Sequence, residues 1–129
     1  MSEFFKRVDK VKAANLSPVT LAFLGDAVYS LFVREGLVLE KDCSAGVLQK
    51  LSCEKVSARG QNLLLEKIQP VLTEEELAVF KRGRNAKKPT RSKSASVAEY
   101  NNSTGLEALI GYLYLIGEYE RIAELLGGE

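Results

Sequence analysis

Apolar residues recur at helical spacing along nearly the whole chain, and no segment shows the strict alternation that is typical of a strand. Ser17 followed by Pro18 predicts the start of a long helix, and Gly36 predicts its end. Apolar side chains cover a wide face between these points, which predicts a central and largely buried helix. The residues of that face are Val19, Leu21, Leu24, Val28, Leu31 and Phe32.

The middle of the chain continues the helical pattern. Residues 44–68 form a second helical region, which the polar stretch before Gly60 is expected to break into two helices. Thr73 and Glu76 have the spacing of a capping box, so another helix should start there and continue to about Asn85.

The last third of the chain has a second capping box, formed by Ser96 and Glu99, which predicts a long helix ending near Gly117. Residues 86–95 lack apolar periodicity and are expected to form a mobile loop, whereas residues 119–126 predict a short amphipathic helix. The pattern as a whole predicts an all-α fold.

Composition limits the class of protein. With 129 residues, of which 46% are hydrophobic, the chain fits one globular domain over residues 1–129. No apolar run reaches the roughly 20 residues that span a bilayer, and the N-terminus has no apolar signal core. These features predict a soluble, cytoplasmic protein. Cys43 and Cys53 match no zinc or redox spacing and are expected to be free thiols, buried or half-buried.

The chain contains no histidine. This excludes imidazole acid–base catalysis, histidine-activated nucleophiles and every metal site that needs a histidine ligand. The remaining chemistry depends on carboxylates, hydroxyls and water, with a hard cation such as Mg²⁺.

Two carboxylates interrupt apolar helical stretches, Asp26 within residues 21–28 (LAFLGDAV) and Glu107 within residues 104–111 (TGLEALIG). A buried carboxylate needs a partner or a metal ion, because removing it from water costs on the order of several kcal/mol. Gly25 and Gly111 would allow the two helices to approach closely, so we expect a shared site where they meet. Spacing alone leaves the alternative that each carboxylate caps a helix, pairs with a lysine or faces solvent.

Basic residues are concentrated in one segment. Residues 81–98 contain seven basic residues and no acidic one, whereas the rest of the chain has 11 basic and 17 acidic residues. Such a segment on an acidic body is typical of a surface that binds a polyanion. The alternative is a solvated helix end, where cations interact favourably with the helix dipole.

The residues of these segments resemble the ribonuclease III family. Residues 21–28 look like its signature helix, and residues 104–111 look like its second catalytic helix. Residues 80–87 (FKRGRNAK) and 111–115 (GYLYL) are similar to one subgroup, Mini-ribonuclease III, which has no double-stranded-RNA-binding domain. The resemblance extends over residues 16–126.

The resemblance implies an all-helical homodimer that hydrolyses double-stranded RNA with Mg²⁺, and for the subgroup it implies precursor large-subunit (23S) ribosomal RNA as substrate. Asp26 and Glu107 match two of the family's four acidic ligands, and would be the catalytic and metal-binding residues. Ala22 and Thr104 stand where the other two acids are expected, and the Thr104 hydroxyl could hold a metal-bound water. The expected RNA-binding residues are Lys81, Arg82, Arg84, Asn85, Lys87, Lys88, Arg91 and Lys93.

One alternative to an enzyme stays open. The same fold could serve as a non-catalytic, dimeric RNA-binding module that docks on ribosomal RNA without cutting it. For the enzyme as for this alternative, the expected partners are double-stranded precursor ribosomal RNA and a second copy of the chain, with a ribosomal-protein helper as a further expectation. Retention of both Asp26 and Glu107 favours the enzyme, since a binding protein gains nothing from carboxylates that repel phosphate.

Overall fold

The computed structural model describes residues 7–87 and 96–127, and within these residues the regular structure is helical with no strand. This confirms the predicted all-α fold. The helices are α1 (Lys10–Ala14), α2 (Pro18–Glu40), α3 (Ala45–Val56), α4 (Ala58–Ile68), α5 (Glu74–Asn85), α6 (Val97–Leu115) and α7 (Tyr119–Gly127), with a 3₁₀ turn at Gln69–Val71.

Helix α6 forms the centre of the fold. Ten of its 19 residues are buried, and α2, α5 and α4 pack around it. The side chains with the least exposure lie where these helices meet, and include Leu21, Phe80, Leu106, Leu109 and Ile110. Because α6 is covered on several sides, a polar residue on it is removed from water unless it faces a cleft.

Local capping explains where several helices begin. The Thr73 hydroxyl accepts a hydrogen bond from the Glu76 backbone N–H at 3.2 Å, and the Glu76 carboxylate accepts one from the Thr73 N–H at 2.9 Å. Ser96 and Glu99 form the second capping box in the same way. Ser57 separates α3 from α4, which confirms the predicted break before Gly60.

A partly buried ion pair attaches α7 to α5. Arg121 donates from Nε and Nη2 to the two carboxylate oxygens of Glu76, each at 2.8 Å. The hydrogen bond from Arg121 holds the pKa of Glu76 below its usual value. This ion pair has a structural role, because it holds the last helix, α7, against α5.

Two expectations about α2 were wrong, and one short helix was missed. Helix α2 does not end at Gly36 but continues to Glu40. A glycine inside a helix costs only about 1 kcal/mol relative to alanine, and burial of Leu37 after it offsets that cost. Leu31, expected on the buried face, is 67% exposed. The short helix α1, capped by Asp9, was not anticipated.

Two simpler expectations concern membranes and thiols. None of the helices in residues 7–87 and 96–127 has the length and apolar character needed to cross a bilayer. Cys43 and Cys53 are both free; Cys43 is half-buried, but Cys53 is exposed and so departs from the expected burial.

Candidate active site

The site lies where α2 crosses α6, and two glycines set the distance between the helices. A Cβ atom at Gly25 would overlap the backbone carbonyl oxygen of Glu107, and one at Gly111 would overlap the carbonyl oxygen of Leu21. Any larger residue at either position would separate the two backbones. The close approach anticipated from Gly25 and Gly111 is therefore present.

This crossing brings Asp26 and Glu107 together. Asp26 follows Gly25 on α2 and is exposed, whereas Glu107 is half-buried on α6. Burial is the largest cause that raises the pKa of Glu107, a hydrogen bond from Gln61 opposes the rise, and the charge and side-chain hydrogen bond of Asp26 add to it; together they bring the pKa to about 7. The two acids thus face each other, one in solvent and one at the edge of the core.

Two other side chains border Glu107. Gln61 on α4 donates from Nε2 to Glu107 Oε2 at 3.1 Å. Tyr29, one turn along α2 from Asp26, is only 4% exposed and donates to the carbonyl of Lys55 at 3.2 Å. Its pKa is raised, first by burial and then by the charge of Glu107. The sequence analysis did not anticipate the contact of Gln61 with Glu107.

A sequence signal for Gln61 exists. Gln61, Leu65 and Ile68 are the buried residues of α4, at positions i, i+4 and i+7 of one face. A glutamine at the first position of an otherwise apolar stripe must have a hydrogen-bonding partner inside the protein. The pattern could therefore have marked Gln61 as a polar residue facing the interior, although not which partner it meets.

Two hydroxyls precede Glu107 on α6, and both are buried. The Thr104 hydroxyl donates to the Tyr100 carbonyl at 3.1 Å, the backward bond that a mid-helix hydroxyl commonly makes. The Ser103 hydroxyl has no hydrogen-bonding partner within the described residues. The carbonyl that Ser103 would normally reach, that of Glu99, instead accepts from Asn62 at 3.0 Å.

The donor set fits a hard cation that is held weakly. Carboxylates are the protein ligands Mg²⁺ prefers, and it usually takes one or two of them together with water and substrate phosphate. Within residues 7–87 and 96–127, no third acidic residue or cysteine completes a cluster with Asp26 and Glu107. The unpaired Ser103 hydroxyl, one turn from Glu107, is an added polar group that could bind a coordinated water.

The predicted RNA-binding residues are found in different environments. Lys81, Arg82, Arg84 and Asn85 belong to the last turns of α5, and Lys87 follows it; Lys88, Arg91 and Lys93 lie outside the described residues. Arg82 donates to the Ala14 carbonyl at the end of α1. Arg84 lies 5.7 Å from the centroid of the Phe80 ring and donates to the Asn85 side chain at 3.0 Å. Lys81 and Lys87 are exposed.

Comparison with known proteins agrees with this fold. The sequence profile of the ribonuclease III domain matches residues 19–118, which include Asp26 and Glu107. Mini-ribonuclease 3 of Symbiobacterium thermophilum is 49% identical over 111 residues, which are 86% of this chain and 85% of that protein. Mini-ribonuclease 3 of Clostridium tetani is 44% identical over 112 residues, with 86% and 74% covered.

A solved structure is also similar. The crystal structure of a Fusobacterium nucleatum protein superimposes with a TM-score of 0.80 at 37% sequence identity, covering 88% of this chain and 90% of that one. The chain therefore belongs to the ribonuclease III family, and its sequence relatives place it among the Mini-ribonuclease 3 proteins.

Proposed function

We propose that this protein is a Mg²⁺-dependent endoribonuclease that cleaves double-stranded RNA, with Asp26 and Glu107 as its catalytic and metal-binding residues. The observation that carries this proposal is the pairing of the two carboxylates at the α2–α6 crossing. A half-buried carboxylate next to a second carboxylate destabilises the folded protein when no metal is bound. The presence of this pair therefore needs a functional explanation.

Asp26 and Glu107 would hold the cation from opposite helices. When bound, Mg²⁺ lowers the pKa of a coordinated water and neutralises charge on the phosphate that is attacked. The Gln61 side chain donates a hydrogen bond to Glu107 and adds no charge to the site. The hydroxyl groups of Ser103 and Thr104 lie within about one turn of Glu107 on α6, where they would orient water. Because only two carboxylates contribute charge, we expect weak Mg²⁺ binding before RNA arrives and completion of the coordination by RNA phosphate.

The basic end of α5 is proposed to bind the RNA backbone. Duplex RNA is recognised mainly through its shape, phosphates and 2′-hydroxyls, which suits exposed lysines such as Lys81 and Lys87. Neutralising Lys87, Lys88, Arg91 and Lys93 together should weaken binding equally across RNA sequences and reduce the slope of log affinity against log salt. An unchanged slope would indicate that these side chains are solvated and do not contact the RNA phosphates.

A homodimer is part of the proposal. Phe23, Leu31 and Val38 project from one side of α2 with exposures of 84%, 67% and 60%. Three large apolar side chains at spacings of about two helical turns form a stripe, which is typical of a surface covered by a partner. A second copy related by a twofold axis would cover each stripe with the other. Each site could then cut one strand of the duplex.

The natural substrate is proposed from the resemblance to Mini-ribonuclease 3. We propose precursor 23S ribosomal RNA, cut in its paired ends by a cytoplasmic enzyme. A ribosomal-protein helper would make cleavage faster on precursor particles than on the protein-free precursor RNA. Equal rates on the two substrates would remove the helper from the proposal.

The deciding experiment incubates the purified protein with a long RNA duplex, in Mg²⁺ or in EDTA. The proposal expects shortened duplexes in Mg²⁺ and none in EDTA, with single-stranded RNA left intact. Binding of the duplex without any cleavage over a range of Mg²⁺ concentrations would contradict the enzyme. It would favour the rival function, a non-catalytic dimeric RNA-binding module.

A further inference from the structure

Gln61 is the most deeply buried polar side chain near the two carboxylates, with only 2% of its surface exposed. Its Nε2 donates to Glu107 Oε2 at 3.1 Å. Burying an amide is unfavourable unless its groups form hydrogen bonds. The hydrogen bond to Glu107 therefore offsets much of the cost of burying Gln61. It also connects α4, which contributes no carboxylate to the pair, directly to one of the acids.

The attachment of α4 to the rest of the molecule does not depend on Gln61. The Asn62 side chain donates to the Glu99 carbonyl at 3.0 Å and accepts from Asn102 at 3.1 Å, which fastens α4 to α6. The Ser57 hydroxyl caps the first turn by accepting from the Gly60 N–H at 3.1 Å. The backbone carrying Gln61 is thus fixed by its neighbours, and the amide is left to act on Glu107.

The chemistry of the amide suits this task. An N–H donor fixes the orientation of one carboxylate oxygen and favours the ionised form, yet it adds no positive charge that would compete with a cation. A lysine at the same place would neutralise Glu107, and an apolar residue would leave it free to rotate. Partners that hold metal ligands in this way commonly change metal affinity or activity by about 10- to 100-fold when they are removed.

We propose that Gln61 is a positioning residue, which orients Glu107 so that the two carboxylates can take up a divalent cation. The proposal rests on the proposed function, in which Asp26 and Glu107 bind that cation. It extends the site to a third helix, α4, in addition to α2 and α6.

The first test compares Gln61→Met with Asn102→Ala. The methionine retains the length of the side chain but removes its N–H donor, whereas the Asn102 change removes one α4–α6 hydrogen bond of similar length that touches neither carboxylate. We expect Gln61→Met to lower duplex cleavage about 10- to 100-fold at limiting Mg²⁺ and to shift half-maximal activity to higher Mg²⁺. Its affinity for the duplex in EDTA should stay at the wild-type value. Asn102→Ala should keep the wild-type Mg²⁺ dependence.

Two results would overturn the proposal while leaving the enzyme itself intact. One is a wild-type Mg²⁺ dependence in Gln61→Met; the other is an equal shift in Asn102→Ala, which would indicate general loosening of α4. Absence of cleavage by the wild-type protein would instead contradict the proposed function.

The second test needs no RNA and covers the case in which Gln61→Met does not fold. Gln61→Glu preserves the shape of the side chain but places a third carboxylate against the pair. The thermal midpoint should fall in EDTA because of charge repulsion, and added Mn²⁺ should raise it more than in the wild type, since three carboxylates bind a hard cation more tightly than two. An equal response to Mn²⁺ in both proteins would mean that Gln61 does not face the cation site, and the proposal would fail.

Discussion

The two sides of α2 differ in what they contact. One side crosses α6 at Gly25 with backbone contact and presents Asp26 to Glu107. The other side presents Phe23 and Leu31 to solvent with most of their surface exposed. Both sides are rich in apolar residues, so composition does not distinguish them; the difference is that only one has a partner within the chain. Under the proposed function, this one helix would serve both the catalytic site and a self-association surface.

The largest expected effect comes from the carboxylates on the crossing side. Asp26→Asn or Glu107→Gln keeps the shape of each side chain and removes its charge, so duplex cleavage should fall by about a thousandfold, since metal-ion charge stabilisation contributes several kcal/mol. The rate is measured on a labelled duplex at fixed Mg²⁺. Folding and duplex affinity should remain near wild type. Near-normal cleavage by either variant would show that the site lies elsewhere.

Substitutions on the exposed side of α2 should change self-association of the protein and leave its fold intact. Phe23→Glu combined with Leu31→Glu should convert a micromolar dimer into a monomer, raising the dissociation constant by about a hundredfold or more, because each copy would bury unpaired charges. Sedimentation velocity measures this change. Leu63→Glu is the matched control, since Leu63 is 55% exposed on α4, away from the stripe. A wild-type monomer at micromolar concentration would contradict the dimer and the model of paired-strand cleavage.

Two glycines of the same helix should respond with opposite signs. Gly25→Ala forces α2 away from α6 and should lower the free energy of unfolding by about 1–3 kcal/mol, as overpacking does. Gly36→Ala should raise it by about 0.5–1 kcal/mol, because no atom lies within 4 Å of the added methyl group and alanine favours the helix. Urea denaturation measures both. Similar changes at the two positions would mean that the crossing is not in backbone contact.

A further expected effect, comparable in size with that of Gly25→Ala, is on the pH dependence of stability. The pKa of Glu107 in the folded protein, about 7, is above the usual value of 4.5 for a glutamate side chain. The folded state therefore holds a proton that the unfolded state has lost, and wild-type stability falls as pH rises from about 4.5 to 7. The glutamine in Glu107→Gln is neutral at every pH, so this variant does not undergo this loss of stability as the pH rises. In EDTA its advantage over wild type should grow by about 2 kcal/mol, to order of magnitude, between pH 5 and pH 8.

Denaturation across this pH range, with Glu66→Gln as control, tests the assignment. Glu66 is exposed on α4, so its replacement should give no comparable change with pH. An advantage of Glu107→Gln that does not vary with pH would show that Glu107 is not held protonated by its surroundings.

The features predicted from sequence are those that depend on neighbouring residues. Thr73 with Glu76, and Ser96 with Glu99, cap α5 and α6 through hydrogen bonds within four residues, so the helix starts could be read directly from the chain. Asp26 and Glu107 were identified because each interrupts an apolar stripe. Helical spacing determines which side of its own helix each acid occupies, whatever packs against it.

Only the tertiary structure decided which of these faces find partners. Leu31 and Leu21 have the same hydrophobic character, yet one is exposed and the other buried, because burial depends on what packs against α2. Gly36 was taken as a helix end, but its cost is small enough for surrounding contacts to override. The contact of Gln61 with Glu107 joins residues 46 positions apart, and no local pattern specifies such a pairing. The sequence determined the helices and the positions of the acids. Packing of α2 and α4 on α6 brought Asp26, Glu107 and Gln61 together, because burial and hydrogen bonding between distant residues exist only in the folded chain.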